Sequence, residues 1–118
     1  MKVYIAGPMS GYKGFNFDAF HAAEKYLRSA GYSPFNPAKR DIGVYGKEIA
    51  ENPNGDQAVA SENVGFNLRE ALKADMSWLC DHAEAIYMLQ GWEKSMGARA
   101  EHALAVALGL KTIYQEAY

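Results

Sequence analysis

The chain has 118 residues, of which 49% are apolar and 22% charged, a composition typical of one soluble globular domain. Its 12 basic and 14 acidic residues give a net charge of −2 without a cluster of Lys and Arg, which disfavours nucleic-acid binding through phosphates. The single cysteine, Cys80, excludes an internal disulfide, and no Cys and His spacing indicates a metal site. We therefore expect neither a metal nor a cofactor.

The first predicted elements are a strand and an amphipathic helix. Residues 2–6, KVYIA, form an apolar run closed by a Gly-Pro pair, which is typical of a buried parallel strand. This run is too short for a signal peptide or a membrane span, so we expect a cytoplasmic protein with no membrane partner. Apolar residues then recur at helical spacing over residues 17–30, with Asn16 as the expected N-cap, and a second short strand is predicted at 33–36.

Residues 38–65 differ from the rest of the chain. They are rich in Gly, Asn and charged residues and are only weakly periodic, which predicts an irregular segment. In a small domain a long irregular segment is more often a lid or a binding loop than decoration. The alternative is a disordered insertion without function. We expect a lid or insertion loop inside a single domain that covers residues 1–118.

Two more helices alternate with two more strands in the second half. Helices are predicted at about 66–81 and from Ser95 onward, and strands at 85–90 and 111–115. This alternation predicts an α/β fold, a three-layer flavodoxin- or Rossmann-like sandwich with a mainly parallel sheet of four to five strands. In such folds ligands bind outside the C-terminal ends of the strands. Those ends are residues 7–14, 38–65 and 91–95.

An aspartate interrupts the apolar stripe of the helix at 66–81. Asp75 falls four residues after Ala71 and four before Leu79, on the face that packs inward. A carboxylate there is partly desolvated unless it is paired or borders a cleft. Asp75 is therefore either a structural residue that accepts backbone hydrogen bonds or part of a site.

Glu101 interrupts the last helix in the same way, among small apolar neighbours. Ser95 is a good N-cap, and the amides of Gly97 and Ala98 in the first turn offer an anion site at the positive end of the helix dipole. Glu101 lies six residues after Ser95, about 9 Å along the axis, a span comparable to that from a nucleotide's 5′-phosphate to its C1′ carbon. The structural alternative is a buried Glu paired with a neighbouring His or Arg.

Four motifs stand out along the chain: YIAGPMSG (4–11), KADMSWL (73–79), AEAIYMLQ (83–90) and SMGARAEHALAVALG (95–109). Together they resemble the nucleoside 2-deoxyribosyltransferase superfamily, over most of the chain except the segment 38–65. The last motif is similar to that of the 2′-deoxynucleoside 5′-monophosphate N-glycosidases, the nucleotide-hydrolysing branch. A GPMSG start and a GWEKSxGAxxEH core also resemble a small group frequent in phage and bacterial genomes.

The resemblance implies roles for three catalytic residues. Glu101 matches the family's nucleophilic glutamate, which attacks C1′ and forms a glycosyl-enzyme intermediate. Asp75 matches the aspartate that helps the nucleobase leave and orients the sugar. Tyr4 matches a tyrosine of the first strand that positions the catalytic carboxylate.

The resemblance also implies a substrate-binding set. Ser95 matches a serine that contacts phosphate, and Gly7 and Gly97 match positions where the backbone approaches the ligand closely. The first loop lacks the arginine of the nucleotide hydrolases, and Trp92, foreign to the classical transferases, either stacks on a base or covers the edge of the core. The expected substrate-binding residues are Gly7, Pro8, Met9, Ser10, Gly11, Trp92, Ser95, Gly97 and Ala98.

The chemistry of two carboxyl groups leads to a functional hypothesis. Breaking an N-glycosidic bond develops positive charge at C1′, which one carboxylate captures while a second carboxyl group assists departure of the base. We expect an N-glycosidase or deoxyribosyltransferase that acts on a nucleoside or nucleoside 5′-monophosphate. The alternative is a nucleotide-binding protein without turnover, a sensor or sponge for a signalling nucleotide. A purely structural interaction protein explains neither the carboxylates nor the helix start.

The oligomeric state follows from aromatic content and sheet edges. The chain has 8 Tyr, 5 Phe and 2 Trp, more aromatic surface than a small core readily buries. An open sheet edge adds a second surface for self-association. The resembling proteins are homodimers or larger, so we expect a homodimer or a higher homo-oligomer.

Overall fold

Four parallel strands form one sheet within residues 1–116, which the computed structural model describes. Val3 pairs with Pro34 on one side and with Ala85 on the other, and Ala85 also pairs with Lys111, so the first and third strands are the central ones. The prediction of an α/β fold around a parallel sheet is confirmed. The strands are β1 (Lys2–Ala6), β2 (Ser33–Phe35), β3 (Ala85–Met88) and β4 (Lys111–Tyr114), in the spatial order β2-β1-β3-β4.

Five α-helices and three short 3₁₀ turns connect these strands in the described part of the chain. The first, fourth and fifth helices begin and end close to the predicted bounds. No helix within residues 1–116 is long and apolar enough to cross a membrane. The helices are α1 (Phe17–Ser29), α2 (Pro37–Tyr45), α3 (Gln57–Val64), α4 (Leu68–His82) and α5 (Met96–Ala107), and the turns are Lys13–Asn16, Lys47–Ala50 and Trp92–Lys94.

Successive residues of β1 face opposite layers, as the two-residue period of a strand requires. Val3 packs in a core cluster with Phe20 of α1. The next residue, Tyr4, packs in a second cluster with Leu79 of α4 and Ala105 of α5. One face of the sheet is therefore covered by α1 and the other by α4 and α5, which gives the three layers of a Rossmann-like sandwich.

The prediction that residues 38–65 are irregular is wrong, because α2, a 3₁₀ turn and α3 occupy most of this segment. Asn36 caps α2 by accepting a hydrogen bond from the Ala38 amide at 3.0 Å, and Asp56 caps α3 in the same way. Both helices are short, and α3 buries only Ala60, so no long apolar stripe reveals them in the sequence. A lid role for the segment stays a prediction.

Hydrogen bonds fasten this segment to the loop that follows β1. The Gly11 amide donates to the Gly55 carbonyl at 2.9 Å, and the Gly14 amide donates to the Asn52 carbonyl at 2.8 Å. Gly55 has a φ of +59°, and a Cβ atom there would lie 2.2 Å from the Tyr12 carbonyl oxygen. Only glycine fits such a position, so the two loops form one unit.

The start of α1 differs from the predicted capping. Asn16 occupies the N-cap position in a left-handed conformation, with a φ of 62°, and its side chain makes no capping hydrogen bond. Its Nδ2 instead donates to the Pro8 carbonyl oxygen at 3.0 Å. Asn16 therefore ties the loop after β1 to the start of α1.

Candidate active site

A cavity of about 520 Å³ lies at the C-terminal edge of the sheet, where the parallel topology predicts a ligand site. Gly7 after β1, Pro37 after β2 and Ser95 before α5 all line it. Further lining residues come from all five helices. The volume falls in the range of about 300–1,000 Å³ that is usual for small-molecule sites.

Glu101 of α5 lines this cavity, although only 6% of its surface is exposed. Tyr4 of β1 is fully buried, and its hydroxyl donates a hydrogen bond to Glu101 Oε2. Burial raises the pKa of Glu101 to about 8; the Tyr4 hydrogen bond opposes this rise, and the charges of Asp75 and Asp41 add to it. Burial and Glu101 also raise the pKa of Tyr4, so its hydroxyl stays a hydrogen-bond donor.

Asp75 of α4 lines the same cavity and is 7% exposed. Its buried Oδ1 has no hydrogen-bond partner among residues 1–116, and the nearby Tyr4 hydroxyl donates to Glu101. Burial raises the pKa of Asp75 to about 7, the charge of Asp41 adds to the rise, and the charge of Arg40 opposes it. An unsatisfied buried oxygen at a cavity wall is typical of a group that waits for a ligand.

Asp41 of α2 contributes a third carboxyl group, which the helical periodicity of the longer helices does not reveal. It is 4% exposed, lines the cavity, and accepts a hydrogen bond from Arg40 Nη1 at 3.1 Å. Burial raises the pKa of Asp41 to about 6, and Arg40 limits the rise. The signal in the sequence is the Asn36-Pro37 pair, a capping residue before a helix-starting proline, which puts Asp41 one turn inside a helix.

The three carboxyl groups are too close to ionise together at neutral pH without cost. Ionised Asp41 and Asp75 raise the pKa of Glu101, and ionised Asp41 raises that of Asp75. No set of three His, Cys, Asp or Glu side chains in the described part of the chain is arranged to hold a metal ion. The carboxyl groups of the cavity therefore stay protonated at higher pH than exposed carboxyl groups do.

The start of α5 forms part of the rim of the cavity. Ser95 caps the helix as predicted, with its Oγ accepting from the Ala98 amide at 3.2 Å. Gly97 lines the cavity, and a Cβ there would meet no atom of the described residues within 4 Å. Lys94 and Met96 also line this rim. Ser95, Gly97 and Ala98 are thus brought to the same cavity as Glu101.

The loop after β1 is brought to the cavity only in part. Gly7, Met9 and Ser10 line it, whereas Pro8 and Gly11 are not among its lining residues. A Cβ at Gly7 would lie 2.7 Å from the Leu89 side chain, so this glycine also allows β1 to pack beside the end of β3. Pro8 is fully buried, and Gly11 is engaged with the chain before α3 as described above.

Trp92 lies outside the lining residues and covers the edge of the core. Its ring packs against His102 with ring centroids 4.4 Å apart, and against Tyr114 of β4 at 6.2 Å. The His102 ring and the Tyr114 hydroxyl are hydrogen-bonded at 3.2 Å. Of the two roles considered for Trp92, the structure therefore supports packing over stacking on a base.

Aromatic side chains line the cavity together with the carboxyl groups, and no motif in the sequence indicates them. Phe15, Phe17, Phe20 and Phe66 all line the cavity. Phe15 and Phe66 stack with ring centroids 6.3 Å apart and planes 24° apart. Phe15 has a φ of 54°, unusual for a bulky residue, and such local strain is more common at functional sites than elsewhere.

Fold and cavity together define a small three-layer α/β protein with a candidate active site at the C-terminal edge of its parallel sheet. The chain belongs to the family described as a domain of unknown function, DUF4406, whose model matches residues 1–114. This match extends from β1 to β4 and includes all three carboxyl groups of the cavity. No curated protein and no solved structure matches the chain significantly.

Proposed function

We propose that this protein cleaves the N-glycosidic bond of a nucleoside or nucleoside 5′-monophosphate, as an N-glycosidase or a deoxyribosyltransferase. The observation that carries the proposal is the convergence of Asp75 and Glu101, from two different helices, on one cavity with the start of α5 at its rim. Paired carboxyl groups of this kind suit glycosidic chemistry. The resemblance to the nucleoside 2-deoxyribosyltransferase superfamily supports the same assignment.

The reaction proceeds in two balanced steps. In the first, an oxygen of ionised Glu101 forms a bond to C1′ while the C1′–N bond breaks, and the base leaves with the electron pair and a proton from Asp75. In the second, water attacks C1′ and the bond to Glu101 breaks. Asp75 takes the proton from that water and returns to its starting form. A second nucleobase in place of water gives transfer instead of hydrolysis.

The raised pKa values support this division of roles. Values of about 7 for Asp75 and about 8 for Glu101 belong to an interacting pair, which holds one proton between those pH values. The hydrogen bond from Tyr4 stabilises negative charge on Glu101. Between those pH values one carboxyl group of the pair is ionised while the other is protonated, as the first step requires.

The start of α5 supports a 5′-phosphate on the substrate. The first-turn amides of Met96 and Gly97 have no acceptor within their own helix, and the helix dipole favours an anion there. Lys94 lines the same rim and adds a positive charge. This basic group stands in for the arginine that the first loop lacks.

The test is incubation of the purified protein with 2′-deoxynucleosides, 2′-deoxynucleoside 5′-monophosphates and their ribose counterparts, followed by chromatography for free base. We expect release of base by wild type and a loss of at least about 10³-fold in kcat for Glu101→Gln. Glu62→Gln, an exposed carboxylate on α3, is the matched control and should keep wild-type activity. Absence of base release from every substrate, or equal rates in Glu101→Gln, contradicts the proposal.

The second candidate is a nucleotide-binding protein without turnover, a sensor or sponge. The specific observation in its favour is the pKa of about 8 for Glu101, since a protonated carboxyl group at neutral pH is no nucleophile. Calorimetry distinguishes the two functions. Tight binding of a nucleotide that is recovered unchanged after prolonged incubation at pH 8.5 supports the second candidate and excludes the first.

We also propose a homodimer. Both β2 and β4 are edge strands of the sheet. Near β4, Val106, Leu108 and Tyr114 are 58%, 44% and 54% exposed, which is a large apolar area for a surface. Analytical ultracentrifugation should give about twice the 13.0 kDa chain mass, and a species of the chain mass across all concentrations contradicts it.

A further inference from the structure

Part of the cavity lining takes no part in the two steps above, and it combines aromatic rings with a carboxyl group. Phe15, Phe17 and Phe66 line the cavity, together with Asp41 of α2. Flat apolar side chains accept a flat heteroaromatic ring with little cost, because every base has a π-face that stacks on them. This lining is therefore suited to a nucleobase.

The topology of the sheet assigns the base to the side of the cavity where Asp41 lies. The helix α2 follows β2 and the start of α5 follows β3, and β1 lies between these two strands. Asp41 is therefore on the β2 side of the cavity and Lys94 on the β3 side. The start of α5 with Lys94 suits the phosphate, so a base that points away from it extends toward Asp41.

The carboxyl group of Asp41 has unused acceptor capacity. Arg40 donates to Oδ1, and this is the only hydrogen bond that residues 1–116 give to the side chain. A carboxylate has about four lone-pair positions, so Oδ2 and part of Oδ1 remain for a ligand. Arg40 keeps the pKa of Asp41 at about 6, below those of Asp75 and Glu101, so Asp41 is ionised while the catalytic pair still holds a proton.

We propose that Asp41 is a specificity-determining residue that selects a base with two adjacent N–H donors, the pattern of N1 and N2 in guanine. This inference rests on the proposed function and names its substrate class. An ionised carboxylate accepts both guanine donors in one plane, as it accepts the fork of an arginine.

The other common bases lack this pattern. Hypoxanthine keeps the N1–H but has no amino group, and adenine presents an acceptor beside its amino group. Thymine and uracil flank their N–H with carbonyl oxygens, which a carboxylate repels. Cytosine offers its amino group beside an acceptor nitrogen. Guanine alone among these bases satisfies both oxygens of an ionised carboxylate.

The experiment compares kcat/KM for the 2′-deoxynucleoside 5′-monophosphates of guanine, hypoxanthine and adenine. We expect wild type to favour guanine over hypoxanthine by about 10-fold to 100-fold, the usual effect of one hydrogen bond to a charged group. Asp41→Asn offers one acceptor and one donor, the pattern that pairs with adenine. We expect it to lower the guanine-to-adenine ratio by at least about 10-fold, because a guanine donor loses its acceptor.

Two controls separate this inference from a structural role. Asp81→Asn removes an exposed carboxylate near the end of α4 and should keep all wild-type ratios. Calorimetry in the Glu101→Gln background measures the binding of the three nucleotides without cleavage, because this variant lacks the nucleophile. A merely structural Asp41 lowers activity on all three nucleotides by the same factor.

The outcomes are distinct from those of the proposed function. Cleavage of all three nucleotides at equal kcat/KM by wild type, or an unchanged ratio in Asp41→Asn, overturns the inference and leaves the glycosidase standing. No cleavage at all contradicts the glycosidase, and the calorimetric ratio then decides the role of Asp41 alone.

Discussion

The two walls of the cavity hold their carboxyl groups in different ways. Asp75 and Glu101, on the α4 and α5 wall, are buried without a basic partner among the described residues, and their pKa values rise to about 7 and about 8. Asp41, on the α2 wall, is at least as buried but is paired with Arg40, and its pKa rises only to about 6. Burial is the main cause of all three rises, and the ion pair with Arg40 limits the rise for Asp41.

The walls also differ in how they are built. The α4 and α5 wall consists of long helices whose apolar faces pack on the sheet. The α2 and α3 wall consists of short helices, and hydrogen bonds at Asn52 and Gly55 fasten the chain between them to the loop after β1. The second wall also packs on the core, through Ala38, Ile49 and Ala60, but it depends in addition on these backbone hydrogen bonds, so single substitutions should affect the two walls differently.

Replacing Asp75 on the α4 and α5 wall should have the largest effect: it should lower activity and raise stability. Asp75→Asn cannot donate the proton that the base requires, so we expect kcat to fall by about 10²-fold to 10⁴-fold. The folded pKa of Asp75 lies above its ordinary value of 3.8, at about 7, so ionising it costs folding free energy that grows as pH rises between those values. At pH 8 the variant should be more stable than wild type by about 2–4 kcal/mol.

Urea denaturation at two pH values measures the stability half of this prediction. At pH 4, near the ordinary pKa of an aspartate, little of the cost is present and the two proteins should differ little. Asp81→Asn, at an exposed position, should change stability little at either pH. A destabilised Asp75→Asn at pH 8 would mean that Asp75 accepts hydrogen bonds that stabilise the fold.

Disrupting the fastening of the second wall should have the next largest effect. Gly55→Ala places a Cβ atom against the Tyr12 carbonyl oxygen and adds a left-handed backbone penalty, so we expect a loss of about 3 kcal/mol or more in the free energy of unfolding. Gly65→Ala is the matched control, because it has a φ of +74° without any neighbouring atom within 4 Å in the described residues. It should lose only about 1 kcal/mol.

Thermal unfolding of both glycine variants gives the comparison directly. Equal losses in the two variants would show that the contact with Tyr12 carries no energy and that the α2 and α3 wall is not fastened there. A larger loss at Gly55 together with a raised KM would link the fastening to the shape of the cavity.

The smallest effect concerns the hydrogen bond between the two catalytic elements. Tyr4→Phe removes the donor that lowers the pKa of Glu101, so the pKa should rise further and less of the carboxylate should be present at neutral pH. We expect kcat/KM at pH 7 to fall by about 10-fold and the acidic limb of the pH profile to move to higher pH. A loss of activity that is uniform across pH would contradict this role.

Sequence analysis predicts most of the fold and half of the site, and particular residues show why. Strand β1 and helices α1, α4 and α5 carry apolar residues at regular spacing, and Asp75 and Glu101 stand out because they break that spacing. Asp41 belongs to a helix of nine residues that carries no long stripe, so its position gives no comparable contrast. Its burial depends on the contacts of α2 with α1 and the sheet.

Long-range contacts explain the remaining differences. Asn16 was expected to cap α1, but its amide reaches the Pro8 carbonyl because the chain is left-handed at that residue. Trp92 packs on His102 of α5 and Tyr114 of β4, which are neighbours only after the sheet has formed. In the sequence Gly55 resembles an ordinary turn glycine, and its close approach to Tyr12 is visible only in the folded structure. These features depend on tertiary structure and leave no local pattern.

The central claim is that Glu101 attacks the anomeric carbon of a sugar held in the cavity. A slow 2′-fluoro nucleoside 5′-monophosphate, incubated with wild type, digested with trypsin and analysed by mass spectrometry, tests this most directly. We predict that the peptide spanning residues 100–111, in which Glu101 is the only acidic residue, gains the mass of the fluorosugar phosphate. Base release without an adduct on this peptide, or an adduct that persists in Glu101→Gln, would contradict the account.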